Sequence, residues 1–299
     1  MSIDAKAKTS AEILHLFENS VVQEGESLEL RVLASDIERI GYKAFVDLAQ
    51  LFFMKMLTPI STCQDSTCQD EIILRFVKLN QTRSFHKSEK NSETYGTESE
   101  FFSIDKTAQF SFLYHYQKAL EFINIAKIKS ILNLGINKGD EFKVIKDMLK
   151  PEDFASKELL GIDYSASAIE YAKKTFPHAN TQFICADINR LSELQLQRFE
   201  LIISIGTLQS SNINFNETFM SLYQNHLEKG GAIILGFPNC RWIDGEMIYG
   251  AKAPNYAFSE MSLVLKDIHF CKKYLQQKKY RVVITGKDYL FLTARKIVS

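Results

Sequence analysis

The sequence predicts an α/β protein: a doubly wound, seven-stranded, mostly parallel sheet with a C-terminal antiparallel hairpin, plus a small N-terminal α+β unit. Three observations carry this reading. Beyond residue 104, strand-like runs alternate with helix-length segments, the rhythm of βαβ units. Only Gly286-Lys287-Asp288 separates the last two strands, too short for a parallel crossover. A polar stretch at 81–100, poor in aliphatic residues, marks a boundary. The expected division is a small unit at 1–80, a polar linker or mobile loop at 81–104, and the α/β domain at 105–299.

In the first part, residues 28–33 alternate like a strand and 71–78 form another. Residues 36–57 have a helical pattern, with Ser35 placed to cap it and Phe45, Leu48, Leu51, Phe52 and Met56 near one face. In the second part, 104–126 reads as a helix. Strands are then expected at 130–134, 159–162, 181–186, 201–205, 232–237, 281–285 and 289–294. Helices fall between most of them, at 140–149, 166–175, 215–226 and 261–277.

Composition narrows the classes. The 299 residues are 45% apolar and 24% charged, which excludes a disordered chain or a disulfide-stapled mini-protein. Net charge is zero, which disfavours nucleic acid as a default partner. The balance is uneven: 1–100 carries −5, 101–260 carries −2 and 261–299 carries +7. The basic segment, with Lys272, Lys273, Lys278, Lys279 and Arg281, is either a docking patch for an anion or a solvated helix face. Five cysteines lack zinc-site spacing, so no metal is expected. Cys63 and Cys68 sit in a repeated Ser-Thr-Cys-Gln-Asp loop. Free thiols, no signal-peptide core and no membrane-length apolar run predict a cytoplasmic protein.

In a doubly wound sheet the ligand sits beyond the carboxyl ends of the strands. After the first strand comes Gly135-Ile136-Asn137-Lys138-Gly139. Gly135 permits a tight turn and close ligand approach, Gly139 close packing of the next helix, and Asn137 a left-handed backbone. After the second strand comes Asp163-Tyr164-Ser165. Asp163, 24 residues past Gly139, suits a ribose-binding carboxylate or a helix cap. After the third strand, Asp187-Ile188 suits an adenine edge or a capped turn.

Taken in order, Ile131–Gly139, Leu160–Lys173 and Phe183–Asn189 resemble motifs of class I S-adenosylmethionine-dependent methyltransferases, Rossmann-like enzymes. Phe199–Gly206 and Leu227–Leu235 are similar to that family's fourth and fifth strands, and the closing hairpin to its reversed strand. The resemblance spans about residues 105–299. It implies S-adenosyl-L-methionine as cofactor and S-adenosyl-L-homocysteine as product. By the same resemblance, Gly135, Ile136, Asn137 and Gly139 would cradle the methionine part and ribose edge. Asp163 would bind the ribose and Tyr164 would pack on the adenine. Asp187 and Ile188 would read the adenine edge, and Ser204 and Ile205 would line the methyl-donor pocket. Two positions depart from the pattern: Asn133 stands where the family has an acid, and Asn137 where it has its central glycine.

Methyl transfer needs in-line positioning and often no catalytic side chain, and no catalytic residue is assigned. The segment after the fifth strand offers Arg241, Trp242, Asp244, Glu246 and Tyr249 as acceptor-binding candidates, the alternative being a packed connection. Asp244 or Glu246 is a candidate base. His115 and Tyr95-Gly96 are candidate cofactor-lid residues, and His226 and His269 read as structural. The expected acceptor is a small molecule or an exposed group on a macromolecule. RNA, docked on the basic segment, is less favoured. The rivals are a non-catalytic binding module with a relaxed cofactor site and a nicotinamide-dependent oxidoreductase. The reversed hairpin argues against the latter.

Overall fold

The computed structural model describes residues 1–61, 71–82, 96–251 and 261–297. The repeat holding Cys63 and Cys68 lies outside them, as does Tyr95. The chain forms two compact units, each discontinuous in sequence. One is Met1–Lys87 with Trp242–Tyr249, and the other is Ser88–Arg241 with Gly250–Ser299.

The first unit begins with β1 (Ser2–Asp4), α1 (Ser10–Glu18) and β2 (Ser27–Leu33). Next come α2 (Ala34–Ile40), α3 (Tyr42–Leu51), β3 (Met54–Met56), β4 (Ile60–Ser61) and β5 (Glu71–Lys78). The sheet runs β1-β2-β5-β3, with β4 also pairing β5. Strand alternation sends Leu28, Leu30 and Val32 into a core with Ile13, Phe17, Phe45 and Phe76.

The single helix expected at 36–57 is two helices and a strand. Gly41, at φ +88, breaks it. Ser35 is not the cap. Asp36 reaches back to accept from Leu33 N at 3.0 Å, and also holds Ala7 N at 3.0 Å and Arg39 Nη2 at 2.9 Å. Burial opposes the Asp36 charge, but these donors outweigh it and keep the carboxyl below its ordinary range. Met54–Met56 pairs with Phe76–Lys78, because a short apolar run serves a strand as well as a helix.

In the second unit, α4 (Glu100–Ser103) and α5 (Phe110–Phe122) precede β6 (Ser130–Leu134), α6 (Asp140–Met148), α7 (Pro151–Ala155) and β7 (Glu158–Asp163). Then follow α8 (Ala166–Thr175), β8 (Thr181–Cys185), β9 (Phe199–Ile205), α9 (Phe215–Ser221) and β10 (Leu227–Pro238). A ribbon of β11 (Cys240–Ile243) and β12 (Glu246–Tyr249) leads towards α10 (Ser262–Gln277), β13 (Tyr280–Gly286) and β14 (Tyr289–Lys296). The helix expected at 104–126 is α5 flanked by 3-10 turns at Lys106–Ala108 and Ile125–Lys127, with Asn124 left-handed at φ 59.

The sheet order is β13-β14-β10-β9-β6-β7-β8. The pairs from β10 through β8 are parallel, and β14 runs antiparallel to both neighbours. This is the doubly wound, seven-stranded sheet with a reversed hairpin that the sequence predicts. Residues Ile131–Leu134 are buried on both faces, as a covered parallel strand requires. Leu132 and Leu134 pack with Phe219, Ile268, Cys271 and Leu275 of α9 and α10. The opposite face carries α5 and α6, where Phe112 and Tyr116 meet Phe291 and Phe142 meets Phe183.

Two stretches differ from the expected boundaries. Residues 242–249 group with the first unit, so 105–299 is not one uninterrupted domain. Within that unit Glu246 pairs with Lys55, Gln50 Nε2 donates to Met247 O at 3.2 Å, and Ile243 and Ile248 pack with Leu79 and Phe53. The described end of the polar linker is part of the second unit: Thr97 N donates to Ser167 Oγ at 3.0 Å, and the Phe102 and Tyr171 rings meet edge-on at 4.9 Å. Among the described residues, no helix is long and apolar enough to cross a membrane.

The entry to β6 depends on a buried cation. Lys157, 2% exposed, donates to the carbonyls of Ile125, Ala126 and Ile128 at 3.0, 3.1 and 2.6 Å. Lys157→Met leaves three carbonyls without that donor and is expected to cost about 2–3 kcal/mol. Urea unfolding checks this, and an unchanged midpoint contradicts it.

Candidate functional site

The carboxyl ends of β6, β7 and β9 meet at one edge of the sheet, as their parallel register demands. Gly135 turns the chain at φ +74, and its N–H and that of Ile136 donate to Ile162 O at 2.8 and 3.2 Å. Asn137 is left-handed at φ 45, the conformation expected of it, and its N–H donates to Asp163 Oδ2 at 2.8 Å. Ser165 N donates to the other oxygen of Asp163 at 3.0 Å. One carboxylate thus ties the loop after β6 to the loop after β7. Burial pushes the Asp163 carboxyl up, and the backbone donors from Ser165 and Asn137 oppose that shift.

The two loop glycines answer to specific neighbours. A Cβ on Gly135 would lie 1.9 Å from Thr207 Oγ1, and one on Gly139 would lie 2.4 Å from the Phe176 ring. Gly135 therefore makes room for a side chain of this protein, where the sequence suggested only a turn and a ligand. Thr207 and Ser204 both donate to Leu134 O, at 3.2 and 3.5 Å. Ile136 and Ile205 are buried at 1% and 5% exposure, so they act through packing and backbone.

Ala186 N donates to Asp163 O at 2.9 Å, which brings the third loop to the second. Asp187 Oδ1 accepts from Asn189 N and Nδ2 at 2.9 and 3.0 Å, so the carboxylate caps the turn Ile188–Leu194. Ile188 is buried, whereas Tyr164 is 74% exposed. The strand ends thus gather Gly135, Ile136, Asn137, Gly139, Asp163, Tyr164, Asp187, Ile188, Ser204 and Ile205.

The acceptor candidates are divided between the two units. Trp242, Asp244, Glu246 and Tyr249 belong to the first unit, and only Arg241 stays with the second. His115 is half-buried beside the Tyr114 ring on α5. His226 is buried and His269 exposed. In the basic segment, Lys278 lies over Tyr274, and Arg281 and Arg295 lie at Phe122. Among the described residues, no cluster of His, Cys, Asp and Glu could hold a metal ion.

Beneath the loop is a charged group that the sequence reading missed. Glu141, 1% exposed, accepts from Lys106 Nζ at 3.0 Å and from Asn133 Nδ2 at 3.4 Å. Lys138 Nζ donates to the carbonyls of Phe102 and Ile104 at 3.2 and 2.7 Å, strapping the segment before α5 to the loop. An acid in the first turn of a helix is ordinarily solvated, so nothing in the spacing marked Glu141 as buried.

Next to it, burial raises the Asp140 carboxyl to about 6, opposed by Lys106 and reinforced by Glu141. The folded chain therefore holds this proton to higher pH than the unfolded chain. The ionisation penalty is absent below about pH 4, grows as the pH rises, and is complete somewhat above pH 6. Asp140→Asn is expected to stabilise the fold on the order of 1–3 kcal/mol at about pH 8, with the gain shrinking towards about pH 5. Urea titrations at both values check this, and a gain independent of pH contradicts it.

Comparison with known proteins gives one family match and several similar solved structures. The family described as "Methyltransferase domain" matches residues 126–285. Among solved structures, the plantazolicin methyltransferase BpumL, in complex with a monoazolic desmethylPZN analog and SAH, is similar at 15% identity. The match covers 66% of this chain and 90% of that one, at TM-score 0.45. Precorrin-6y C5,15-methyltransferase from Geobacter metallireducens GS-15 is similar at 10% identity, covering 60% and 88%, at TM-score 0.42. TehB from Haemophilus influenzae is similar at 12% identity, covering 78% and 73%, at TM-score 0.41. No curated protein matches the chain. The family match takes in more than half of the sequence, including every strand of the sheet up to β13: the chain belongs to the methyltransferase domain family, whose cofactor is S-adenosylmethionine.

Proposed function

We propose that this chain transfers a methyl group from S-adenosylmethionine to a small molecule or to an exposed group on a larger substrate. The observation that carries the reading is the Asp163 carboxylate, held at the junction of the first two loops by Asn137 N and Ser165 N. A carboxylate fixed there, with two left-handed turns beside it at Gly135 and Gly139, fits a nucleoside with a free ribose diol. Asn133 adds a second fit: its Oδ1 is buried, and no donor among the described residues reaches it.

When bound, the cofactor supplies an electrophilic methyl group on a sulfonium. In this reading Asp163 accepts from the ribose hydroxyls, and the exposed Tyr164 ring covers one adenine face. Asp187 and Ile188 form the adenine edge. The backbone from Gly135 to Gly139 follows the methionine part, and Ser204 and Ile205 line the donor pocket. The chain's contribution to rate is positioning, which alone supplies much of the acceleration for an in-line transfer. No side chain is assigned as a base.

Calorimetric titration with S-adenosylmethionine and S-adenosylhomocysteine tests this, with NAD as control. Both sulfur ligands are expected to bind at micromolar concentration and NAD not to bind. Asp163→Ala is expected to weaken both by at least about tenfold, the loss of a charge-assisted hydrogen-bond pair. No binding of either ligand by folded, ligand-free protein overturns the reading.

A further inference from the structure

The closing hairpin leaves one edge of the seven-stranded sheet open. Among the described residues β13 pairs only with β14. The N–H and C=O groups of every second residue from Tyr280 to Gly286 therefore face away from the sheet with no strand to meet them. Such an edge is ordinarily guarded by a proline, a bulge, an internal lysine or a covering element. β13 reads Tyr280-Arg-Val-Val-Ile-Thr-Gly286, with no proline or lysine, and its register with β14 is unbroken from Tyr280 to Gly286. Helices α5 and α10 pack on its faces but leave Ile284 39% exposed and Val282 and Val283 half-buried. Tyr280 and Val282 belong to the core shared with α10. Strand alternation then puts Ile284 on that face and Arg281, Val283 and Thr285 on the α5 face.

The one charge on the strand guards it selectively. Arg281 stands directly opposite Arg295 of β14, and like charges in that position repel. Both are exposed, and both guanidiniums lie at the Phe122 ring, 5.6 and 4.7 Å from its centre. Arg295 also donates to Phe122 O at 3.2 Å. Neither arginine forms an ion pair among the described residues, and neither do Lys278, Lys279 and Lys296 beside them. The guanidiniums thus lean on an aromatic ring and lack the carboxylate that would relieve their repulsion.

We infer that β13 receives an extended, acidic segment of a partner protein as an eighth strand of this sheet. The open row of backbone groups pairs with any extended chain, and the side chains select which one. An apolar residue of the partner lies beside Val282 and Ile284, and a carboxylate at the Tyr280 end meets Arg281 and Arg295. A second copy of β13 fits poorly, because two segments of charge +7 would meet with no acid between them. RNA would satisfy the cations but would leave the backbone row and Ile284 unpaired. The inference rests on the hairpin alone and is independent of the cofactor reading.

The test is amide NMR of the isotope-labelled full chain, titrated with a synthetic peptide of alternating valine and threonine that carries glutamates at both ends. Saturable shifts concentrated at residues 280–286 are expected. Lysines in place of the glutamates are expected to weaken binding at least about tenfold, and so is Arg281→Glu against the glutamate peptide. The lysine peptide makes this comparison on the wild-type chain, so the result does not depend on the variant folding. Full N-methylation of the peptide is expected to abolish binding, since it removes every backbone donor. No saturable shift in β13, or equal binding of the methylated peptide, overturns the inference. Displacement of the peptide by oligouridylate or by phosphatidylserine vesicles at lower concentration than the peptide itself requires would assign the surface to nucleic acid or membrane and overturn it as well.

Discussion

Everything at the carboxyl edge of this sheet is referred to one buried carboxylate. Asp163 is 7% exposed and accepts backbone N–H groups from Asn137 on one side and Ser165 on the other. Burying an anion is costly unless donors converge on it, and here the donors belong to two different loops. Neither loop can move without leaving the charge short of a partner. The left-handed backbone at Asn137 is fixed by that bond, and the close fits of Gly135 against Thr207 and Gly139 against Phe176 follow from the path it sets.

A second layer of charge stabilises the first from below. Asp140, Glu141 and Asp163 are three acids near one another, and Glu141 adds to the burial cost of ionising both Asp140 and Asp163. Lys106 and Lys138 offset them from the segment before α5, one by pairing with Glu141 and the other by lying 4.0 Å from Asp140 while gripping two carbonyls. The cradle is thus a joint product of the strand ends and of a segment about 30 residues earlier in the chain.

Much of this was legible in the sequence because it is local. The order of strands and helices, the glycine turn, the acid 24 residues on and the short final connection all follow from spacing. Asn137 in the left-handed region was readable from its residue type alone. Gly41 was also a readable signal, and missing it merged two helices and a strand into one helix. What sequence could not show is long-range. Thr207 against Gly135, Lys106 under Glu141 and Lys138 across to Ile104 join residues tens of positions apart with no periodic mark. The grouping of Trp242–Tyr249 with the first unit is of the same kind. The segment read equally as a recognition loop or a packed connection, and two of its aliphatic residues and one acid pack with Leu79, Phe53 and Lys55.

The most direct measurement is a crystal structure of the chain grown with S-adenosylhomocysteine. The expected result places the ribose hydroxyls on the Asp163 carboxylate and the amino-acid part along Gly135–Gly139, with the backbone of those loops unchanged from that described above. A nucleoside bound away from Asp163, or loops rebuilt to admit it, would contradict the view that this edge of the sheet is a preformed cofactor cradle.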